Sequence, residues 1–341
     1  MIMTTVIVQS AGLLTTVQDT GRHGYQRYGM PVSGAMDLFS LGLANLLVGN
    51  EPGEACLEAT VAGPELEFTG ATIVAITGAD MGPHLNGQVI TMNTAVDVKS
   101  GDRLKFGGLK SGCRSYIAFA GGIDVPRVMG SRSTYLRAGI GGCQGRALIE
   151  GDELQLGETS TLQGKELPPG EAHSLIPSRE MPLGETRARA RIRKLRSIPE
   201  GLIPGYGPTQ TIRIIPGPEA HYFEMAGLRN FLSGEYKVTA QSDRMGYRLS
   251  GEPIMHREGM SGIISAGVSA GTVQVPGDGQ PIILMADRQS SGGYARIANV
   301  ITVDLTLLAQ MRPGDTIRFM ETTLDHACQL YIDRSRMMNG R

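Results

Sequence analysis

The chain has 341 residues, which is enough to bury the core of one large domain or of two smaller ones. Its 32 basic residues nearly balance its 33 acidic residues, so no chain-wide field attracts nucleic acid or a membrane surface. The four cysteines are scattered, without the spacing of a zinc site or of a disulfide framework.

The start of the chain carries no basic segment followed by a long apolar stretch. No window approaches the roughly 18 apolar residues that a membrane-spanning helix requires. The six histidines lack the paired spacing that metal ligands on a helix show. We therefore expect a cytoplasmic protein with no nucleic-acid partner, no membrane contact and no metal site.

Short segments rich in Val, Ile and Thr recur along the chain, and Gly, Pro and Asp turns separate them. Strands of about five residues at this density predict a barrel or a sandwich rather than regular alternation of strands and helices. The fold is therefore predicted to be mainly β. The predicted strands cover residues 5–9, 65–69, 72–77, 95–99, 114–120, 211–215, 236–240, 272–275, 281–286, 299–303 and 316–320.

A few helices are predicted between the strands, at residues 36–48, 218–233 and 324–337. The first is apolar on nearly every turn, which indicates burial. The second starts at Pro218, stops at Gly234 and carries apolar residues along one side, so both are predicted to pack against the strands. The third begins with an acidic residue and ends among arginines, as the helix dipole favours.

Three polar clusters contain Asp, Arg, Gln, Gly and Tyr, and two of them share an amide and a carboxylate ahead of Arg-x-Gly-Tyr. They are Gln18-Asp19-Thr20-Gly21-Arg22-His23-Gly24-Tyr25-Gln26, Gln241-Ser242-Asp243-Arg244-Met245-Gly246-Tyr247-Arg248 and Ala286-Asp287-Arg288-Gln289-Ser290-Ser291-Gly292-Gly293-Tyr294. Arginine binds carboxylate or carbonyl oxygens through a fixed fork of donors, and glycine lets the backbone approach a ligand closely. The clusters therefore favour a site for a small polar substrate; the alternative is a set of turns capped by Arg–Asp pairs.

A Gly-Asp turn that leads into an alternating strand occurs three times, at residues 100–106, 150–156 and 313–319. Together with the repeated Arg-x-Gly-Tyr, this repetition predicts one duplication and hence two related β domains. We place them at residues 1–165 and 209–341. Residues 166–208, rich in Pro, Glu and Arg, are predicted to form a linker or a strap across the surface.

The linker carries a run of basic residues between 187 and 196. No aromatic residue is interleaved to stack on bases, so the run favours a solvated edge strand or a docking surface for an acidic partner over an RNA-binding arm. The stretch 267–271 fits the Gly-x-Ser-x-Gly pattern of serine hydrolases, but a strand rather than a helix is predicted after it, which argues against a nucleophilic Ser269. No phosphate-binding loop for ATP or a dinucleotide is found.

With these motifs in view, the chain resembles the biotin-dependent carboxyltransferase family. The resemblance spans nearly the whole chain and rests on the first cluster with the segment 29–37 that follows it, on residues 116–123, on the second cluster, and on residues 274–294. The family includes the KipI antagonist, allophanate hydrolase subunit 2, the C subunit of 5-oxoprolinase and the carboxyltransferase part of urea amidolyase.

The resemblance implies two tandem cyclophilin-like β-barrel domains with the substrate cleft between them. It also implies one component of an ATP-dependent 5-oxoprolinase, inactive alone, which opens 5-oxo-L-proline to L-glutamate with a KipI-like B subunit and a lactam-utilisation A subunit. This chain alone is expected to bind no cofactor. A homo-oligomer is left open.

Two alternatives remain open at this point. The first is a carboxyltransferase for urea that uses biotin carried on another chain, because this chain lacks a biotin-attachment hairpin. The second is a non-enzymatic antagonist that binds a KipI-like kinase inhibitor, in which case a surface contact carries the function.

Both enzymatic reactions build negative charge on an amide oxygen, so hydrogen-bond donors directed at that oxygen lower the barrier. We expect Arg244 and Arg288 to supply these donors. Asp19 or His23 is expected to move the proton on the amide nitrogen.

The predicted substrate-binding residues have different expected roles. Some orient an arginine, some donate and accept hydrogen bonds at once, some offer backbone N–H groups, and one closes the pocket. They are Gln18, Arg22, Tyr25, Gln241, Asp243, Gln274, Gln280, Asp287, Gln289, Gly292, Gly293 and Tyr294.

Overall fold

The structure, a computed structural model, describes residues 4–158, 197–198 and 200–338. Over these residues it is mainly β, as predicted, with nineteen strands and four α-helices. Most of the predicted linker and the whole basic run at 187–196 lie outside the described residues. The predicted domain boundaries stay predictions.

The first half of the chain forms two sheets around one core. One sheet has the strand order β11-β1-β4-β9-β6-β7 and the other β2-β3-β10-β5-β8. Apolar side chains from both sheets meet in one buried cluster that includes Val6, Leu66 and Ile117. The strands are β1 (Thr5–Ser10), β2 (Leu14–Gln18), β3 (Cys56–Thr60), β4 (Glu65–Phe68), β5 (Thr72–Asp80), β6 (Pro83–Leu85), β7 (Gln88–Val89), β8 (Ala95–Val98), β9 (Arg103–Phe106), β10 (Ser111–Phe119) and β11 (Glu153–Gln155).

The second half is a closed barrel of seven strands in the order β12-β19-β13-β14-β17-β16-β18, with β18 pairing back onto β12. Only the β12–β19 pair in this barrel is parallel within the described residues. An eighth strand, β15, pairs with β18 outside the closed ring. The strands are β12 (Thr209–Pro216), β13 (Tyr236–Val238), β14 (Gly246–Ser250), β15 (Gly262–Gly267), β16 (Thr272–Val275), β17 (Ile282–Leu284), β18 (Ser291–Val300) and β19 (Thr316–Glu321).

Helix α1 (Leu38–Leu47) is buried on nearly every face, as its sequence predicts, and packs on β5 and β10. Its start is fixed by Asp37, whose carboxylate accepts a hydrogen bond of 3.1 Å from Ser40 N. Helix α2 (Met225–Ser233) begins later than predicted, because a 3₁₀ turn occupies Ala220–Tyr222. Two further helices are α3 (Leu305–Ala309), which was not predicted, and α4 (Leu324–Met338), which was.

Each of the three predicted Gly-Asp turns leads into a strand, namely β9, β11 and β19. The stretch that resembles a hydrolase motif precedes β16 and not a helix, so the argument against a nucleophilic Ser269 holds. No helix among the described residues is both long and apolar enough to cross a lipid bilayer.

The two halves are joined by a loop of the first half that reaches the second. Ser33 N donates to Ala286 O at 3.2 Å, and the side chain of Met36 belongs to the core of the barrel. The same loop packs tightly on the turn that follows β2. Gly34 has a φ of 82°, and a Cβ at this position would lie 2.8 Å from Gly21 N, so a larger residue would push the two segments apart.

Candidate functional site

The structure brings the three predicted polar clusters together where the two halves meet. The second and third clusters are adjacent because Asp287 N donates to Arg244 O at 2.8 Å. The first cluster joins them through the loop at 32–35, since Arg22 N donates to Val32 O at 2.7 Å. Residues remote in sequence therefore share one junction.

Arg244 lies at the centre of this junction and is buried. Its Nε donates to Asp287 Oδ2 at 2.9 Å, and its Nη2 lies 3.2 Å from Asp287 Oδ1. The remaining contacts go to the first half, with Nη1 bonded to the Glu58 carboxylate and Nη2 to Gly34 O. Every side-chain nitrogen of Arg244 is thus hydrogen-bonded within the protein, and the side chain connects the two halves.

Glu58, which the sequence analysis missed, is the main acceptor in this network. It lies on β3 and is 2% exposed. Besides Arg244, its carboxylate accepts hydrogen bonds of 2.8 Å from the Tyr116 hydroxyl and from Met36 N. A lone carboxylate inside the apolar strand Cys56–Thr60 was the available signal, because a buried charge needs a partner.

A second set of buried contacts crosses the junction beside Glu58. Arg114, on β10, donates from Nη1 to the Tyr247 hydroxyl at 2.8 Å and to Ala309 O at 2.6 Å. Gln310 Oε1 accepts from the backbone N–H groups of Cys113 and Arg114, both at 2.9 Å. Burial raises the pKa of Tyr247, which favours the neutral hydroxyl that this contact uses. These contacts fix the orientation of one half relative to the other.

Asp19 is expected to move a proton. In this structure its carboxylate accepts hydrogen bonds from the turn after β2 and from the loop at 131–134. Oδ1 accepts from Gly21 N at 2.8 Å and from Ser131 Oγ at 2.6 Å, and Oδ2 accepts from Arg132 N at 2.6 Å. The other residue predicted for proton transfer, His23, is exposed, with Nε2 3.1 Å from Thr20 O. Which of the two moves a proton stays a prediction.

Arg22 is fully buried but is not fully paired. Its Nη2 donates to Ser133 O and its Nε to Val128 O at 3.4 Å, while its Nη1 has no hydrogen-bond partner within the described residues. Burial lowers the pKa of this guanidinium, although the negative charges of Asp19 and Asp287 oppose the effect. Arg22 therefore carries a positive charge with one donor group still to be satisfied.

Arg288, in the third cluster, is a second arginine whose charge is incompletely balanced. It is partly buried, and its guanidinium contacts only carbonyl oxygens, with Nη1 3.2 Å from Met285 O and Nε 3.5 Å from Val268 O. Across the part of the chain that the structure describes, its guanidinium forms no ion pair with a carboxylate. Burial lowers its pKa. Such a group attracts a negatively charged or strongly polarised ligand atom.

Several predicted substrate-binding residues have other hydrogen-bond partners. Gln274 Nε2 donates to Tyr294 O at 3.3 Å, and Gly292 lies directly beside that amide. Gln280 closes a turn by bonding both backbone groups of Gly251. These contacts lie within the second half and do not involve Arg22, Arg244 or Arg288.

The remaining predicted residues lie at or near the surface. Asp243 is exposed, caps the turn before β14 and lies 3.6 Å from Arg137 of the first half. Gln241 and Tyr294 are exposed, whereas Tyr25, Gln289 and Gly293 are partly buried. Their roles stay predictions.

Within the described parts of the chain, no three His, Cys, Asp or Glu side chains gather in a way that could hold a metal ion. The first cluster instead supplies Arg22, whose Nη1 is unpaired, and the third cluster supplies Arg288, whose guanidinium contacts only carbonyl oxygens, beside the Asp287 carboxylate that Arg244 holds in place. This combination is suited to binding a small molecule that carries a carboxylate or a polarised carbonyl.

Comparison with known proteins gives this geometry a family. Residues 28–321 match the family described as the carboxyltransferase domain, subdomain A and B. The chain is 38% identical over 326 residues to the 5-oxoprolinase C subunit of Escherichia coli strain K12, which covers 96% of this chain and 94% of that protein. It is 33% identical over 327 residues to the 5-oxoprolinase C subunit of Haemophilus influenzae, with 94% of each chain covered.

A solved structure adds a relative of different size. The urea amidolyase of Kluyveromyces lactis superposes with a TM-score of 0.85 at 32% sequence identity and covers 98% of this chain. This chain spans only 20% of the amidolyase. The same fold therefore occurs as a chain of this length and as one part of a much longer polypeptide.

Proposed function

The chain belongs to the carboxyltransferase domain family, subdomains A and B, and on this premise we propose that it is the C subunit of an ATP-dependent 5-oxoprolinase complex. In this role it supports the opening of 5-oxo-L-proline to L-glutamate, together with a KipI-like B subunit and a lactam-utilisation A subunit. Similarity along almost the full length of two 5-oxoprolinase C subunits supports the proposal. In this proposal ATP is used by the complex and not bound by this chain alone.

The observation that carries the chemical part of the proposal is the incompletely balanced guanidinium of Arg288 at the junction. Opening a lactam places negative charge on the amide oxygen. A partly desolvated arginine that has no carboxylate partner among the described residues can donate to that oxygen without first breaking an ion pair. Arg244 lacks this freedom, because Glu58, Asp287 and Gly34 occupy its nitrogens.

We assign Arg244 and Asp287 to positioning. Their bidentate contact holds the start of the third cluster against the second, and the contact from Arg244 to Gly34 O holds the loop of the first half. Arg288, the next residue along the chain, is thereby fixed relative to the first half. Pre-organised donors stabilise a transition state because no reorganisation is needed during the reaction.

The test is reconstitution of the purified chain with homologues of the A and B subunits, followed by an assay of ATP-dependent glutamate release from 5-oxo-L-proline. Arg288→Met should reduce turnover by roughly 10²- to 10³-fold, the typical loss for one transition-state donor. Arg248→Met is the matched control, since Arg248 is an exposed arginine on β14 at the end of the second cluster. Wild-type turnover in Arg288→Met would refute the assignment, and a stable complex without any turnover would favour the antagonist function.

A second candidate function is supported by the superposition on the urea amidolyase, which covers 98% of this chain. In this case carboxybiotin on another chain is a substrate, and urea accepts the carboxyl group. The reaction would then require bicarbonate and would be inhibited by avidin. Glutamate release that is insensitive to avidin and independent of bicarbonate would exclude this candidate.

A further inference from the structure

Three buried polar atoms in the first cluster and the loop beside it have no hydrogen-bond partner within the described residues. They are Arg22 Nη1, Gln18 Oε1 and Ser33 Oγ, and they make up three of the seven such side-chain atoms in the described residues. Burying a polar atom without a partner costs free energy, so native structures leave few of them. A group of three in one region indicates a site at which a ligand supplies the missing contacts.

The three atoms lie on segments that hydrogen-bond to one another. Gln18 Nε2 donates to Thr134 O at 3.2 Å, and Arg22 Nη2 donates to the adjacent carbonyl, Ser133 O. Arg22 N donates to Val32 O, which immediately precedes Ser33. The three unpartnered atoms therefore belong to one packed unit, which consists of the end of β2, the turn after it and the loops at 32–35 and 131–134.

The chemical character of these atoms specifies the ligand. Arg22 Nη1 offers N–H donors on a positive charge, and the Ser33 hydroxyl can donate a further hydrogen bond. Gln18 Oε1 can only accept. A ligand that satisfies all three carries anionic oxygen for the two donors and an N–H group for the acceptor.

We propose that this unit is a subsite for the substrate carboxylate, in which Arg22 and Ser33 bind the carboxylate and Gln18 Oε1 accepts the adjacent amide N–H. This rests on the proposed function, because 5-oxo-L-proline carries a carboxylate beside its lactam N–H and urea carries none. Arg22 and Ser33 would then determine specificity, while Arg288 acts on the carbonyl. The subsite thus explains how one fold could select a carboxylated lactam.

The test compares two substrates of the reconstituted complex, 5-oxo-L-proline and 2-pyrrolidinone, which has the same ring without the carboxylate. Arg22→Lys should raise KM for 5-oxo-L-proline roughly 10- to 100-fold, as expected for the loss of a hydrogen bond to a charged group, and should leave KM for 2-pyrrolidinone unchanged. A loss shared equally by both substrates would contradict a carboxylate subsite.

Because Arg22 is fully buried, its replacement risks misfolding, and Ser33→Ala provides the second variant. The Ser33 hydroxyl has no partner among the described residues, so its removal should not lower the thermal unfolding temperature, yet it should raise KM for 5-oxo-L-proline. The matched control is Thr72→Val, which removes another unpartnered buried hydroxyl, on β5, and should leave both KM values unchanged. Equal KM for Ser33→Ala and wild type would show that these atoms hold only water.

Failure of the subsite and failure of the proposed function give different results. In one outcome, the complex releases no glutamate, yet 5-oxo-L-proline raises its unfolding temperature whereas 2-pyrrolidinone does not. If Ser33→Ala abolishes this stabilisation, the subsite is supported and the proposed function is wrong. If glutamate is released and the variants discriminate as the wild type does, the subsite is wrong and the proposed function stands. Neither turnover nor stabilisation would refute both.

Discussion

Replacing Glu58 by Gln tests whether the junction between the halves stabilises the protein. The substitution keeps the size of the side chain and removes its charge. In the wild type, the carboxylate accepts hydrogen bonds from Arg244, from the Tyr116 hydroxyl and from Met36 N. The amide of glutamine has one acceptor oxygen, so at least one of these donors must face an NH₂ group.

The magnitude follows from the charges at the junction. Two guanidinium groups, Arg244 and Arg114, lie beside the Glu58 carboxylate, and Asp287 is the second carboxylate bonded to Arg244. Without the charge of Glu58, two buried cations share one buried anion. Breaking a buried ion pair by removing one partner typically costs about 3 to 5 kcal/mol. Because Arg244 keeps Asp287, we expect Glu58→Gln to lower the free energy of unfolding by about 3 kcal/mol, near the lower end of that range.

The assay is urea unfolding at pH 7, followed by circular dichroism and by tyrosine fluorescence, since the chain contains no tryptophan. Glu67→Gln is the control. Glu67 pairs with Arg103 at 2.7 Å on the exposed side of β4, where such pairs contribute about 0 to 1 kcal/mol. If Glu58→Gln and Glu67→Gln lowered stability equally, the junction network would not hold the halves together and the reasoning would fail.

Two further substitutions test the loop packing and the acid response. In urea unfolding, Gly34→Ala should lower the free energy of unfolding by at least about 1 kcal/mol more than Gly29→Ala. Both glycines have a positive φ. Only at Gly34 would the new Cβ collide with backbone, at 2.8 Å from Gly21 N. Equal losses would show that the loop adjusts freely. Hydrogen bonds from Arg296 lower the pKa of the Glu219 carboxyl below its usual 4.5 in the folded protein. As the pH falls below 4.5, the unfolded chain therefore binds a proton at Glu219 before the folded chain does. The stability that the Glu219–Arg296 pair contributes is lost over this pH range. Glu219→Gln should therefore be less stable than wild type at pH 7, with a difference that shrinks towards pH 3; a difference independent of pH would contradict this.

Elements set by local sequence were predicted well, because their signals are periodicity and turn chemistry. The strand predicted at 65–69 is β4 (Glu65–Phe68), whose residues alternate between partly exposed and buried positions. The helix predicted at 36–48 is α1 (Leu38–Leu47), and the cap at Asp37 accounts for the later start. Here local preference and tertiary packing favour the same structure.

Strand β18, which depends on pairing with distant strands, was predicted only in part. Only the end of β18 (Ser291–Val300) was expected, because Gly292 and Gly293 disfavour a strand locally. Pairing with β12, β15 and β16 overrides that preference. Barrel closure is a property of the whole fold, which a window of sequence cannot contain.

The site shows the same division. Motif repetition drew attention to the three clusters that the structure brings together at the junction, since arginine, aspartate and glycine are visible in any window of sequence. It could not show that Arg244 is occupied by Glu58, which lies 186 residues away, or that Arg114 reaches Tyr247 across 133 residues. Which arginine is free to bind a ligand depends on these partners, so the sequence indicated candidate residues but could not show how their hydrogen bonds are distributed.

Within the described residues, the contacts that order the junction are made by side chains and backbone of this one chain. Arg244 links Glu58 and Gly34 of the first half to Asp287 of the second, and Gln310 ties the barrel to the strand that carries Arg114. The positions of Arg244, Asp287 and Gln310 are therefore fixed by contacts within this chain. Since pre-organised donors need no reorganisation during the reaction, we expect a partner in the proposed complex to supply the ATP-dependent activation. That division of labour is consistent with a fold that occurs both as a separate chain of this length and as a fifth of a longer polypeptide.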